Sequence, residues 1–374
     1  MIKFIIIFNF FIFLLFGKNV LSLDNKYKLE ILKSNLSSPW SFTFINNNQI
    51  LISEKTGKIK LFDIQNNKIT AIDHNLNFIR DKNSQGGLLD VYFYNDQIFI
   101  SYSEKIGDKL FSPSTTSIAK ADLDLNFLDF ENIFRANPPI RSPYHFGSRI
   151  AIHDDYLYAS VGERGKGMIA QDAKQHPGSI IRIKLDGTSP KDNPHYVSQE
   201  TWLPEIYQIG VRNPQGMSIS PFDNKIYISN HGAKGGDWFG EVKKGENYGW
   251  KILGWGGTNY DNSNIGPKWL PGYTKAIHYW VPSIAVSAIT IYDGEEFPEF
   301  KGLALITSLK DQSLRSLDFS NLDNVKEDII FKKEIGRIRD IKIHPDNGKI
   351  FFLAQDKLWL FEKKSFFVSI EKTA

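Results

Sequence analysis

The sequence predicts an all-β fold, a six-bladed β-propeller of four-stranded antiparallel blades, on three observations. First, one short phrase recurs six times: a turn-forming pair, a burst of β-branched and aromatic residues, then in most copies a small polar stop. The copies begin at Asn48, Asp96, Asp155, Asn224, Lys301 and Asn347, at intervals of roughly 45 to 80 residues, a repeat length that suits propeller blades. Second, the apolar runs are short and alternating and are bounded by Asn, Asp and Gly, which is how strands read. Third, 374 residues with 41% hydrophobic and 14% aromatic content can fill one closed all-β core. A propeller gathers the loops of its blades around one central pocket. The residues after the phrases (Ser53-Glu54-Lys55, Ser160 to Arg164, Asn230-His231-Gly232 and Ser308-Leu309-Lys310) are therefore expected to meet there.

The segments follow in order. Residues 1–22 read as a secretory signal peptide, with Lys3, an apolar run from Phe4 to Gly17, and small residues near Ser22. That run is shorter than the ~20 residues a membrane span needs; an uncleaved anchor is the alternative. The propeller then occupies 23–374 as a single domain, with no linker or composition shift to divide it. Tyr27 to Lys33 alternates like an opening strand. Lys55-Thr56-Gly57-Lys58 reads as a hairpin turn, and 83–89 as a glycine-bearing loop entering a strand. Residues 104–145 read as a long irregular loop, and 254–282 as a Gly-, Asn- and Trp-rich excursion over one face. The tail after Glu362 is expected to close the last blade or to fray. Absence of Cys excludes a disulfide framework and a lipid anchor, and fits an exported periplasmic protein stabilised by its core. A formal net charge of +3 is too small to argue for nucleic acid.

Several constellations carry chemistry. His145, in His145-Phe146-Gly147-Ser148-Arg149, stands at a loop–strand junction, where an imidazole is available as a base near neutral pH; a solvated loop His reads the same way. Arg212-Asn213-Pro214-Gln215-Gly216 joins a cation and an amide to a rigid turn, which suits a planar anion or a plain surface turn. Arg337 and Arg339 are two apart on a strand-like segment and share a side, with Asp340 on the other face. Their like charges call for an anion between them, or for a flanking Asp or Glu. The loop Asn230 to Asp237 is glycine-dense, and its exposed backbone carbonyls suit a hard cation such as calcium; such loops are also common in propellers. Lys310 follows the fifth phrase and offers one more cation to the pocket.

Together these segments resemble the soluble glucose/sorbosone dehydrogenase family, in its aldose sugar dehydrogenase branch. The resemblance covers 38–360 and runs in order through Pro39-Trp40, Gln85 to Val91, Ser101 to Glu104, and His145 to Arg149. It continues through Val161 to Gly165, Ala170 to Asp172, Ile180 to Ile183 and Arg212 to Gly216, then Asn247 to Trp250, Ser308-Leu309 and Gly336 to Asp340. The resemblance implies a six-bladed quinoprotein using pyrroloquinoline quinone (PQQ) and Ca2+. It implies His145 as the general base at the anomeric hydroxyl while hydride passes from C1 to the quinone, giving a lactone, with Arg212 stabilising charge on the quinone oxygen. By the same likeness Gln85, Arg212, Asn213, His231, Lys310, Arg337 and Arg339 contact the cofactor. Gly232 and Ala233 offer carbonyls to the calcium, and Tyr248 marks a second, structural calcium site. An aldose and a periplasmic electron acceptor, a cytochrome or the quinone pool, are the implied partners.

The departures are equally specific. Tyr144 stands where the family often has a carboxylate, which leaves the orientation of His145 open. Asp237-Trp238 replaces an Asp-Glu pair, so the second calcium site is altered unless Glu241 substitutes. Ala233 replaces a proline, and Ala285-Val286-Ser287 replaces Ala-Pro-Ser. Two other readings stand beside the dehydrogenase: a non-enzymatic propeller binding module, and a calcium-dependent lactonase, for which an inward Asp/Glu/Asn cluster is lacking in the sequence.

Overall fold

The computed structural model describes residues 20–23, 26–78, 84–107 and 112–364. Its sheets form six blades, mostly four-stranded and antiparallel. The inner strands are Pro39–Asn46, Leu88–Tyr94, Gly147–His153, Pro214–Ile219, Val286–Ile291 and Ile338–Ile343. The six phrases are the turns and second strands: Gln49–Glu54, Gln97–Lys105, Tyr156–Val161, Ile226–Asn230, Ala304–Ser308 and Ile350–Ala354. Their polar stops have a structural purpose. The Ser53 hydroxyl donates to the Leu89 carbonyl, Ser101 to Ser148 (2.6 Å) and Ser229 to Ser287 (2.6 Å), each stitching one blade to the inner strand of the next.

The hydrophobic core is divided in the same way. Six clusters lie at the six interfaces between successive blades. Ile59, Ile72, Val91 and Ile98 join the first to the second, for example, and Phe42, Ile52, Leu353 and Leu358 join the sixth to the first. Strands buried on both faces need near-continuous apolar runs, which is why each phrase is so rich in Ile, Leu and Phe.

Tyr27–Lys33 pairs with Lys357–Lys363 and adds a strand to the last blade; of the tail after Glu362, expected to close that blade or fray, only Lys363 and Lys364 are described, Lys363 within the paired strand. Residues 365–374 lie outside the described residues. So do residues 1–19 of the expected signal peptide, while Val20–Leu23 pairs onto Tyr27–Lys33 as an edge strand. The expectation of an irregular loop over 104–145 is corrected. It contains Ser114–Asp122 and Glu131–Arg135, the outer strands of the second blade. Ser114-Thr115-Thr116-Ser117 hid the first of these, because its small hydroxyl residues are buried on both faces and break the apolar alternation. The excursion 254–282 is largely irregular, but it ends in His278–Trp280, the outer strand of the fourth blade.

One irregularity recurs in all six blades. Each inner strand shifts register against its second strand near its first residues, at Pro39/Ser41, Leu88/Val91, Gly147/Ile150, Pro214/Gly216, Val286/Ile289 and Ile338/Asp340. A bulge leaves a residue unpaired and re-aims its side chain. Trp40, Asp90, Arg149, Gln215 and Arg339 all fall within these shifts, and all lie at the same end of the central channel.

Candidate active site

At that end, the bulged residues and the loops after the second strands enclose a cavity of about 220 Å³. Three cations line it: Lys55, Arg337 and Arg339. Trp40 and Phe146 supply aromatic surface, and Gln85, Asn213, Gln215 and His231 supply polar groups. No Asp or Glu is among the lining residues. Like charges gathered on a lining that holds no carboxylate favour an anionic occupant. Burial, reinforced by Arg149 and Arg337, pushes the Arg339 guanidinium down to about 9. Burial, with Arg339 beside it, also lowers the Lys55 ammonium.

Behind the cavity-lining residues lies a buried charge cluster. Arg149 Nη1 lies 3.1 Å from Asp90 Oδ1 and 2.9 Å from Asp340 Oδ1. The Ser41 hydroxyl lies between the two carboxylates, 2.5 Å from Asp90 Oδ1 and 2.9 Å from Asp340 Oδ2, with its one proton to share. Strict alternation puts Asp340 on the face opposite Arg339. The bulge between Ile338 and Asp340 breaks that alternation, and the Asp340 carboxylate reaches the axis directly under the cavity.

His145 stands beside the cavity in the left-handed region, φ 52°. That backbone is held by Gln85, whose Oε1 accepts from His145 N at 2.8 Å. Its Nδ1 pairs with Glu163 Oε1, and Glu163 Oε2 accepts from Gly167 N at 2.5 Å. The question raised by Tyr144 is thereby answered. Tyr144 is exposed, and the orienting carboxylate comes from Glu163, just after the third phrase. The family motif Val161 to Gly165 contained Glu163, but only the fold shows that it meets His145. Burial holds the imidazole below its ordinary range, opposed in part by the Glu163 bond. Burial alone raises the Glu163 carboxyl; bonds from His145 and Gly167 outweigh it and keep the group ionised.

The Arg212-Asn213 turn is fixed by Asn230, whose Oδ1 accepts both backbone N–H groups, at 3.0 and 2.9 Å. Arg212 is buried with its guanidinium 5.2 Å from the Trp250 ring centroid, and its Nε has no hydrogen-bond partner. Burial lowers its pKa, partly offset by Glu163. Asn213 Oδ1 accepts from Gly147 N at 3.0 Å, tying the third blade to the fourth. His231 donates through Nε2 to the Val286 carbonyl, and burial pushes it down to about 4, so the ring is neutral. Lys310 is exposed and does not line the cavity. Its neighbour Leu309 does, and the Leu309 carbonyl accepts from Arg337 Nη1 at 3.3 Å.

The glycine loop is a tight turn. A Cβ on Gly232 would come within 2.4 Å of the Gly236 backbone. Asp237 closes the loop, its Oδ1 accepting from Gly232 N at 2.8 Å and its Oδ2 from Val286 N at 3.2 Å. Among the described residues no group of three or more His, Cys, Asp or Glu side chains forms a metal site. A cation here would depend on the Gly232 and Ala233 carbonyls. Around Tyr248 the arrangement is aromatic. Trp238 stacks on the Tyr248 ring at 4.0 Å, the Tyr248 hydroxyl donates to the Glu241 carbonyl at 2.6 Å, and the Glu241 carboxylate turns to Lys225 at 3.3 Å. These side chains do not fit a second calcium, and Glu241 does not substitute.

Comparison with known proteins places this architecture. The family model described as "Glucose / Sorbosone dehydrogenase" matches residues 36–358. The aldose sugar dehydrogenase YliI of Escherichia coli K12 is 31% identical over 342 residues, covering 88% of this chain and 90% of the relative. The crystal structure of the soluble aldose sugar dehydrogenase from Escherichia coli, in its apo form, superposes with a TM-score of 0.83 at 29% identity, over 90% of this chain and 99% of that one. The PQQ-bound aldose sugar dehydrogenase of Streptomyces coelicolor shares the fold, with a TM-score of 0.72 at 21% identity over 91% of this chain and 99% of that one. By the span of the family match and the identity to the Escherichia coli relative, this chain belongs to the glucose/sorbosone dehydrogenase family.

Proposed function

We propose that this chain is a periplasmic PQQ-dependent dehydrogenase that oxidises an aldose at C1 to the lactone. One observation carries the reading: a His145–Glu163 pair stands at the rim of a cationic cavity that no carboxylate lines. The residues fit PQQ, a flat molecule with three carboxylates. Arg337, Arg339 and Lys55 supply the balancing charge and Trp40 and Phe146 flat surface, while Arg212, behind the lining, keeps a buried Nε without a hydrogen-bond partner. When bound, PQQ supplies the two-electron acceptor, and a calcium held through the Gly232 and Ala233 carbonyls supplies Lewis acidity.

The protein's part is position and proton transfer. Glu163 occupies Nδ1 of His145, so Nε2 is the nitrogen left to take the proton from the anomeric hydroxyl. The imidazole is neutral near pH 7, because burial holds its pKa below the ordinary range. Ionised Glu163 stabilises the imidazolium that forms, the role of the carboxylate in a His–carboxylate pair. Arg212, also near Glu163, offers positive charge where negative charge develops. His231 and Asn213 contribute neutral polar surface, and Gln85 keeps the His145 backbone in place.

No helix among the described residues is long and apolar enough to cross a membrane, and a nucleic-acid partner is not expected at this net charge. Electrons would leave to a periplasmic cytochrome or the quinone pool. The test is reconstitution of the chain from Leu23 with PQQ and calcium, followed by dye reduction with a panel of aldoses. Sugar-dependent reduction that needs PQQ and calcium supports the reading. Absence of PQQ binding overturns it in favour of a binding module.

A further inference from the structure

The cluster at the floor of the cavity calls for an explanation. Arg149, Asp90 and Asp340 are buried together, where desolvation of charge is costly and where well-packed apolar side chains would be at least as stable. The guanidinium of Arg149 does more than pair with Asp90 and Asp340. Its Nε donates to the Gln215 carbonyl at 2.6 Å, and its Nη2 to the Arg339 carbonyl at 3.0 Å. These two residues line the cavity, and they also meet each other, Arg339 Nη1 donating to Gln215 Oε1 at 3.0 Å. The guanidinium carbon of Arg149 sits 4.3 Å from the centroid of Trp40, a third lining residue, and that of Arg339 sits 5.9 Å from the same ring. One side chain thus touches the first, second, fourth and sixth blades from its place in the third, and its bonds to backbone carbonyls fall on two residues that line the cavity.

We infer that Arg149 is a positioning residue for cofactor capture: pinned between Asp90 and Asp340, it sets Arg339 and Gln215 at the cavity floor. The inference rests on the PQQ reading given above. It requires the planar fork of arginine, since a lysine ammonium keeps the charge but cannot donate to two carbonyls and two carboxylates in that fixed geometry. Gln215 in turn holds Arg339, from whose Nη1 it accepts, so both contacts of Arg149 act through Arg339 and its effect depends on Arg339 being present.

The experiment is a double-mutant cycle on PQQ binding, read by titration calorimetry of the calcium-supplemented protein and not by turnover. R149K is expected to weaken PQQ affinity roughly ten- to hundred-fold, the scale of hydrogen bonds to charged groups, with the circular dichroism spectrum unchanged. In an R339A background the same substitution is expected to change affinity by less than about threefold, because coupled residues do not add. Wild-type affinity in R149K, or an equal loss in both backgrounds, overturns the inference and leaves Arg149 a staple between blades. If R149K does not fold, S41A takes its place in the cycle. It removes the hydroxyl bridging Asp90 and Asp340 while keeping every charge. A several-fold loss confined to the Arg339 background is then expected, and an additive or absent loss overturns the inference. Failure of the wild-type protein to bind PQQ overturns the cofactor reading itself, which the other outcomes leave standing.

Discussion

The two ends of the central channel are built from the same six inner strands, yet they differ in almost every respect. At one end each strand is bulged, and the side chains released are Trp40, Asp90, Arg149, Gln215 and Arg339. At the other end pairing is mostly regular, and the mouth is lined mainly by apolar residues such as Phe44, Met217, Ile289, Ile341 and Ile343, with Lys342 the one charged side chain. The regular end holds the larger cavity, about 570 Å³ against about 220 Å³. Volume therefore does not mark the site. The smaller cavity has converging cations, with a His–Glu pair and the unpartnered Nε of Arg212 beside it, and those are what chemistry requires. On the proposed reading, function sits where the regularity of the strand is broken.

That contrast can be broken or sharpened by substitution. The largest effect is expected from His145→Ala. Turnover should fall by about 10²–10⁴-fold, the usual contribution of a positioned base, while PQQ affinity, read by titration, stays near wild type. Unchanged turnover removes His145 as the base. Next, replacing Arg337 and Arg339 together with Ala should weaken PQQ affinity by about 10²–10⁴-fold, from two charge-assisted contacts of roughly 1.5–3 kcal/mol each. Wild-type affinity would place the clamp elsewhere.

Glu163→Gln should lower kcat by about ten- to hundred-fold, less than loss of the base itself. It also carries a pH signature. His145 must be neutral to accept a proton, and its pKa lies below the ordinary 6.5, so activity falls as pH drops through a value under 6.5. Glu163 holds that pKa up. Without it the acid limb of kcat/KM should move to lower pH, and an acid limb that stays in place would contradict the pairing. The smallest effects on function are expected at the regular end. Ile341→Ala, nearly fully buried, should cost about 2–5 kcal/mol of stability by cavity formation yet leave PQQ affinity within about twofold. A selective loss of PQQ affinity there would erase the distinction between the ends.

Much of the molecule is legible in the sequence, and what is hidden shares a cause. The repeated phrases mark all six second strands because local alternation and turn residues are local signals. His145, Arg212, Asn213, Arg337 and Arg339 stand out by their company in short motifs. The outer strands at Ser114–Asp122 and Glu131–Arg135 do not, since buried hydroxyls disguise the first and the Pro-rich stretch after them reads as a loop. Tyr27–Lys33 closes the ring with a partner more than 300 positions away, which no local pattern reveals. The Ser41–Asp340 contact spans 299 positions and depends on a bulge that inverts the expected face. Glu163 sits in plain view within a motif, but its partnership with His145 is created by the packing of loop against strand. Trp238, the departure from the family pattern, stacks on Tyr248.

The most direct test of the account is to load the wild-type and His145→Ala proteins with PQQ in the presence of calcium, add aldose without any dye, and follow the absorbance of the bound quinone. The account predicts that both proteins bind PQQ and that sugar bleaches the quinone band about 10²–10⁴-fold faster in the wild type than in His145→Ala. Equal bleaching in both proteins, or no binding by the wild type, would contradict it.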